Sequence, residues 1–323
     1  MVLTCLARHW LARRHYALPS WLACVARSLR VLLFYRDHAR LLRLDMYRHY
    51  LVRTHDDVFH HLSHRDYLAK GLTPRERVRC VGAHYRFEEA RFDAAYKHAV
   101  YRNGGLLLWR HEADGIRFAI RLELAPRLAP EGDLMLVFSA GATCLHRLSF
   151  SWGDGAFAGI DAVGADAPIV PFIARNQGHR LDAAEAFAAF EQAFPNNSPS
   201  FFCVAALQGI AQALGMDRLL AVKSSCQCAW KVEDDPHFAN AYDGFWRMLG
   251  GVETPGPAWR IALPFHAKPL CEVAARHRKR AALRREHWHA IAASSGLVVQ
   301  RHVLPAHTGG APSGRRLIFL PAG

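Results

Sequence analysis

Five consecutive residues, Arg175-Asn176-Gln177-Gly178-His179, separate an apolar run from a helix-like one. A glycine at a strand-to-helix turn leaves backbone N–H groups free at the helix N-terminus, where they can bind an anion. Arg175 and His179 would add charge there and Gln177 an amide; a tight turn serving only the fold explains the same residues. Further along, Tyr242, Phe245 and Trp246 fall at i, i+3 and i+4, so on a helix they form one stripe. Such a stripe is most often core, and the alternative is the aromatic wall of a ligand cleft. In that cleft Tyr242 or His179 would be the candidate acid or base. A third constellation is a basic helix with Arg276, His277, Arg278, Lys279, Arg280, Arg284 and Arg285 around a narrow apolar stripe. Arg278, Arg284 and Arg285 suit phosphates of lipid headgroups, small molecules or nucleic acid. Pairing of some of these arginines with Asp243 or with carboxylates of the middle segment is the competing role. Gln208 places a polar group inside the apolar run AALQGIAQALG.

Several chemistries lack their residues. Asp56, His60 and His64 stand at i, i+4 and i+8, but with twenty histidines in the chain that spacing arises cheaply. No third-ligand pattern or general base accompanies it, so no metal is expected. Cys226 and Cys228 are one residue apart, which is not zinc-knuckle spacing, and the scattered cysteines read as free thiols in a reducing compartment. Ser149, Ser151, Ser224 and Ser225 lack a nucleophile-elbow setting. There is no P-loop and no complete dinucleotide fingerprint. The residues leave enzyme and binding protein both open.

Charge is uneven along the 323 residues, which total +13. Residues 1–100 carry 18 basic and 9 acidic side chains, residues 101–200 carry 8 and 11, and the remainder 15 and 8. Two basic regions flanking a mildly acidic middle suit an anionic lipid or a phosphorylated small molecule, and nucleic acid less well, since no helix-turn-helix or zinc framework is present. Solvated arginine is the alternative. Arginines interrupt the N-terminal apolar stretches, and the uncharged run Gln192–Met216 contains two prolines and two asparagines, so no transmembrane segment is expected.

The elements that must position these groups form an α+β protein: a helical N-terminal region, then a largely antiparallel or mixed sheet flanked by helices. Residues 1–100 read as the helical region, 101–293 as a mixed α/β core domain, and 294–323 as a Gly/Pro-containing tail or hairpin. Thr73-Pro74-Arg75-Glu76 has the form of a helix start. LLLWRHE, IRFAIRLEL, DLMLVFSA and TCLHRLSFSW read as successive antiparallel strands. PIVPFIA (168–174) is a further strand, bounded by Pro168 and with Pro171 inside it, so at least its first half is expected near an edge. Helices over 181–194 and 201–215, a strand at 218–222, a helix near 238–249, a strand at 259–264 and the basic helix at 273–293 complete the order.

HLSHRDYL (61–68), His84-Tyr85, LSFSW (148–152), FIARNQG (172–178), AALQGIAQALG (205–215), YDGFWRMLGG (242–251), LPFHAKPL (263–270) and HRKRAALRR (277–285), in this order, resemble the VirK/YbjX family of bacterial proteins. The resemblance runs from about His61 to Arg285. It implies a Gram-negative protein linked to virulence, envelope remodelling and resistance to antimicrobial peptides, with no established reaction and no catalytic residues to carry over. The expected location is the cytoplasm, with peripheral attachment to the inner membrane as a variant. Separately, the Arg175–His179 turn loosely resembles the pyrophosphate loop of the N-acetyltransferase fold, which also places an antiparallel sheet before that loop. Arg180 stands where that loop has a small residue, and two helices follow instead of one. The leading expectation is an anion-binding protein without a cofactor; the alternative is an acyl-CoA-dependent enzyme, and a nucleic-acid-binding regulator ranks third.

Overall fold

The computed structural model describes residues 1–52, 57–126, 130–158, 168–178 and 183–305. Its first hundred residues are helical: α1 (Val2–Ala12), α2 (Leu18–Ser28), α3 (Arg30–Leu33), α4 (Tyr35–Leu41), a π-helical turn (Tyr47–Leu51), α5 (His60–Ser63), α6 (Pro74–Arg91) and α7 (Ala94–Arg102). The Thr73 hydroxyl accepts the Glu76 N–H at 3.3 Å while the Glu76 carboxylate accepts the Thr73 N–H at 2.7 Å. This reciprocal cap satisfies two donors that have no partner within the helix.

Four strands follow, β1 (Leu106–Ala113), β2 (Ile116–Leu124), β3 (Leu134–Ala140) and β4 (Thr143–Asp154), each antiparallel to the one before. Asp114 and Gly115 both take positive φ, 49° and 74°, the backbone that a two-residue hairpin turn requires. On β2, buried Phe118, Ile120 and Leu122 alternate with exposed Arg117 and Arg121. β5 (Ile169–Gly178) continues the antiparallel series. After α8 (Ala184–Ala193) and α9 (Pro199–Ala213), β6 (Arg218–Val222) adds in parallel to β5. A helical stretch made of α10 (Asp235–Phe238), a π turn (Ala239–Gly244) and α11 (Phe245–Met248) leads to β7 (Val252–Glu253) and β8 (Ala258–Ala262), and α12 (Ala275–Gln300) closes the described chain. The eight strands lie in the order β1-β2-β3-β4-β5-β6-β8-β7. The α+β expectation, helical region first and mixed sheet second, holds.

Two local expectations are corrected and a third is refined. β5 lies between β4 and β6 in the strand order, while its first half, Ile169 to Pro171, pairs with β4 and not with β6. Pro171 is tolerated because β6 pairs only with Phe172 and Ile173, so the missing N–H costs no bond on that side. Arg175 to Gly178 belong to the strand, in register with Ser149 to His146 of β4, and do not form a turn. His179 lies outside the described residues. The stretch GLVVQ (296–300), within the region expected to be a tail or hairpin, is the last turn and a half of α12. Val299 is buried there, and tertiary packing overrides the β preference of Val-Val.

The core is rich in aromatic rings. Phe118 and Phe138 of the sheet meet Phe190 of α8, Phe194 at its C-terminal end and Phe202 of α9 at centroid distances of 5.2–6.4 Å. Trp152 of β4 meets Phe87 and Phe92 from α6 and its end at 4.9 and 6.5 Å. Rings at these separations add edge-to-face attraction to their burial.

Candidate functional site

Gly209 decides where α9 and α12 cross. A Cβ at this position would stand 2.0 Å from the Ala292 carbonyl oxygen, so only glycine allows the two backbones to touch. The neighbouring Gln208 thereby faces the segment after β8, and its Oε1 accepts the Phe265 N–H at 2.8 Å. From α12, Arg285 donates to the Lys268 carbonyl, holding the other end of that segment. Between these two anchors lies a pocket of about 390 Å³ lined by Gln208, Phe265, Lys268, Arg284, Arg285 and Trp288 among others. Trp288 stacks on Phe201 with centroids 4.7 Å apart, and the Arg284 guanidinium sits 5.8 Å from the Trp288 ring. The Arg284 Nε is buried without a hydrogen-bond partner. Among the described residues no acidic side chain lines the pocket, whereas Lys268, Arg284, Arg285, His266 and His289 all do. An apolar, aromatic wall with an uncompensated cationic rim is the chemistry of an amphiphilic anion site.

The other residues singled out in the sequence lie elsewhere. Arg175 pairs with Glu131 at 2.9 Å, and Glu131 also accepts a hydrogen bond from the Gln227 side chain. Tyr242 is 1% exposed; its hydroxyl accepts the Asn176 N–H at 3.3 Å, and burial pushes the phenol up. Asn176 also gives its side-chain N–H to the Ala241 carbonyl, so its Oδ1 accepts from His146 at 2.8 Å. Burial lowers His146 to about 4, leaving it neutral at pH 7. Trp246 is fully buried and donates to the Val222 carbonyl at 3.0 Å. Arg278 donates to the Cys271 and Val273 carbonyls and fixes the chain entering α12. Asp243 pairs with no arginine among the described residues: it accepts from Ser224 and from the Trp259 indole. Two groups therefore emerge, Gln208 with Arg284 and Arg285 in the pocket, and Arg175 to Gly178 with Tyr242 at the end of β5.

Gly178 and Asn176 also line a second recess, of about 360 Å³, with His146, Ser198, Ser200 and Asn240. It opens between the end of β5, the facing part of β4 and the start of α9.

A family model described as "Protein of unknown function (DUF535)" matches residues 25–290. The chain belongs to that family, known as VirK/YbjX. No curated protein and no solved structure matches it. Membership gives the family-like strings a structural meaning that their spacing alone does not. In this VirK/YbjX chain, Tyr67 of HLSHRDYL, Tyr85 of the His-Tyr pair and Ser151 of LSFSW all donate to one carboxylate, Asp133, at 2.5, 2.7 and 2.7 Å. The His60 Nε2 is 3.4 Å from the same group, which is wholly buried. A second buried carboxylate, Glu88, accepts from Trp152, Tyr96 and Tyr101 at 2.5, 3.2 and 3.1 Å. Sequence reasoning missed both carboxylates, because their donors are spread over some ninety residues. The available signal was the recurrence of tyrosine in the family-like strings.

Proposed function

We propose that this VirK/YbjX protein binds an anionic amphiphile, a phosphorylated small molecule or lipid, in the pocket formed by Gln208, Arg284, Arg285 and Trp288. The observation that carries the reading is the buried, unpartnered Nε of Arg284 beside an aromatic wall with no acidic residue among the lining groups. Gln208 holds the wall segment, and Arg285 fixes Lys268 at the rim. A role in virulence, envelope remodelling and resistance to antimicrobial peptides, which the family resemblance implies, suits a protein that senses or carries an envelope amphiphile. Nucleic acid is the weaker partner, since a pocket floored by aromatic rings admits a single tail or ring and no duplex.

A second reading has its own observation. The recess beside Asn176, Gly178, Ser198 and Ser200 lies where β5 ends and α9 begins, and an acyl-CoA pyrophosphate would lie there in an N-acetyltransferase-like enzyme. Thermal shift separates the two. A ligand at a hundred times its dissociation constant adds about 2.7 kcal/mol, a shift of several degrees. Short-chain phosphatidylglycerol, below its micelle concentration, is expected to raise the melting temperature of the wild type and to leave Arg284→Ala/Arg285→Ala unshifted. A shift with acyl-CoA that survives in that double variant favours the second reading, and no shift with either probe sinks both.

A further inference from the structure

Ten of the sixteen exposed large apolar side chains among the described residues lie within the first 35. Four of them, Leu18, Leu22, Leu29 and Leu33, are 67, 51, 42 and 80% exposed. α2 runs into α3 with one residue between them, and at 3.6 residues per turn these four positions fall within about 60° of each other. They make one solvent-facing leucine stripe, and a contiguous apolar face of this kind marks a contact surface. The charge around it says what the contact is. Residues 1–40 hold seven arginines and one acidic residue, Asp37. Where the stripe ends, Leu33 also lines a groove of about 690 Å³ between α4 and α6, floored by Phe34, Leu41 and Val78. Arg40, Arg75, Arg79 and Arg86 rim that groove. Arg79 is held by Asp154 at 2.5 Å and Arg40 lies 3.8 Å from Asp37, while Arg75 and Arg86 have no acidic partner among the described residues.

We propose that this face docks on the surface of an anionic phospholipid bilayer, with α2 and α3 lying in the headgroup layer and the leucine stripe inserted. Lipid phosphates then meet the arginine rim of the groove. No single helix among the described residues is long and apolar enough to cross a membrane, and the apolar pair Leu18–Leu33 and Tyr35–Leu41 is bent by 87°. That bend lets the first arm lie flat while the second turns back toward α6. A second copy of the chain would set seven arginines against seven. The residues after 305 carry two arginines and no carboxylate, so they do not complement the face either. The proposal is independent of the Arg284 pocket and uses none of its residues.

Vesicle flotation of the full chain tests it, with phosphatidylcholine vesicles containing or lacking about a third phosphatidylglycerol. Wild type is expected to float with the anionic vesicles alone. Leu22→Glu/Leu29→Glu and Arg75→Glu/Arg86→Glu are each expected to lower the bound fraction at least about tenfold with an unchanged melting temperature. Leu18→Ser/Leu33→Ser, at the two most exposed positions, provides the same reading if a glutamate variant fails to fold. Arg284→Ala/Arg285→Ala is expected to float as wild type. The proposal is overturned if wild type does not float, if the leucine variants float like wild type, or if sedimentation shows a dimer that the leucine variants dissociate.

Discussion

Two carboxylates sealed in the interior dominate the energetics at the residue scale. Asp133 is fully buried and accepts from three hydroxyls, so Asp133→Ala strands three buried donors. At about 1–3 kcal/mol for each, the expected loss is at least about 3 kcal/mol, read from the midpoint of urea unfolding. Glu88 makes a different prediction. Burial pushes its carboxyl from 4.5 up to about 7, against the opposing effect of the Trp152 and tyrosine donors. The folded state therefore keeps a proton that the unfolded chain releases. Its stability contribution is complete below about 4.5 and drains away as pH rises through about 7. The whole effect is on the order of 3 kcal/mol, and Glu88→Gln is expected to flatten the decline in stability between these values. A denaturation series from pH 5 to pH 8 reads it directly; an undiminished slope in Glu88→Gln would assign the decline to other groups. His146 works in the opposite sense, since its depressed value gives stability that is complete above 6.5 and lost as pH falls through about 4. None of this was legible in the sequence, where Asp133 and Glu88 are ordinary acidic residues among twenty-eight. Their character comes from burial, which depends on contacts between segments far apart in the chain.

At the scale of elements, legibility followed the locality of the signal. β1 to β4 could be read because alternation and turn residues such as Asp114-Gly115 are contained within each hairpin. α6 could be read from its capping box for the same reason. β5 was legible at its start, where the prolines mark a half that β6 does not pair, and misjudged at its end, where the polar run Arg175 to Gln177 suggests a turn. That end depends on which strand lies alongside, and that is a non-local fact. The pocket was half legible: Arg284, Arg285 and Gln208 were named, while Phe265, Lys268 and Trp288 were not joined to them until α9 and α12 crossed. Gly209 is the residue on which that crossing rests. Gly209→Ala is expected to force the backbones apart and cost about 3 kcal/mol, the upper range for overpacking. Gly296→Ala, whose Cβ would meet the Gly209 carbonyl at 3.0 Å, is expected to cost less. Thermal melting of the two variants should rank them in that order, and only the first should abolish ligand shifts at the pocket. Equal melting temperatures would mean that the helices have room the structure does not show.

For the whole molecule, much of the basic charge gathers at two separate surfaces, for which different roles are proposed. One share surrounds the leucine stripe of α2 and α3, and another surrounds the pocket on α12. Because the two share no residue, their perturbations should add. A protein carrying Leu22→Glu/Leu29→Glu together with Arg284→Ala/Arg285→Ala is expected to show both single defects at unchanged size, in flotation and in thermal shift respectively. A combined defect that differs from the sum would mean that lipid docking and ligand binding communicate.

The end of α12 has a kinetic consequence. His302 lies beside Asp93 at 3.2 Å although 209 residues separate them. The Asp93 N–H donates to the His302 carbonyl, the Leu304 N–H donates to the Arg91 carbonyl, and Val303 bridges Phe92. Every strand of the sheet lies inside the loop that this clasp closes. Closing so long a loop is entropically costly, and the cost is recovered only after the intervening sheet has compacted. The clasp is therefore expected to form after the folding transition state. Val303→Ala should leave the refolding rate nearly unchanged and accelerate unfolding, so that the clasp acts as a latch on the lifetime of the native state.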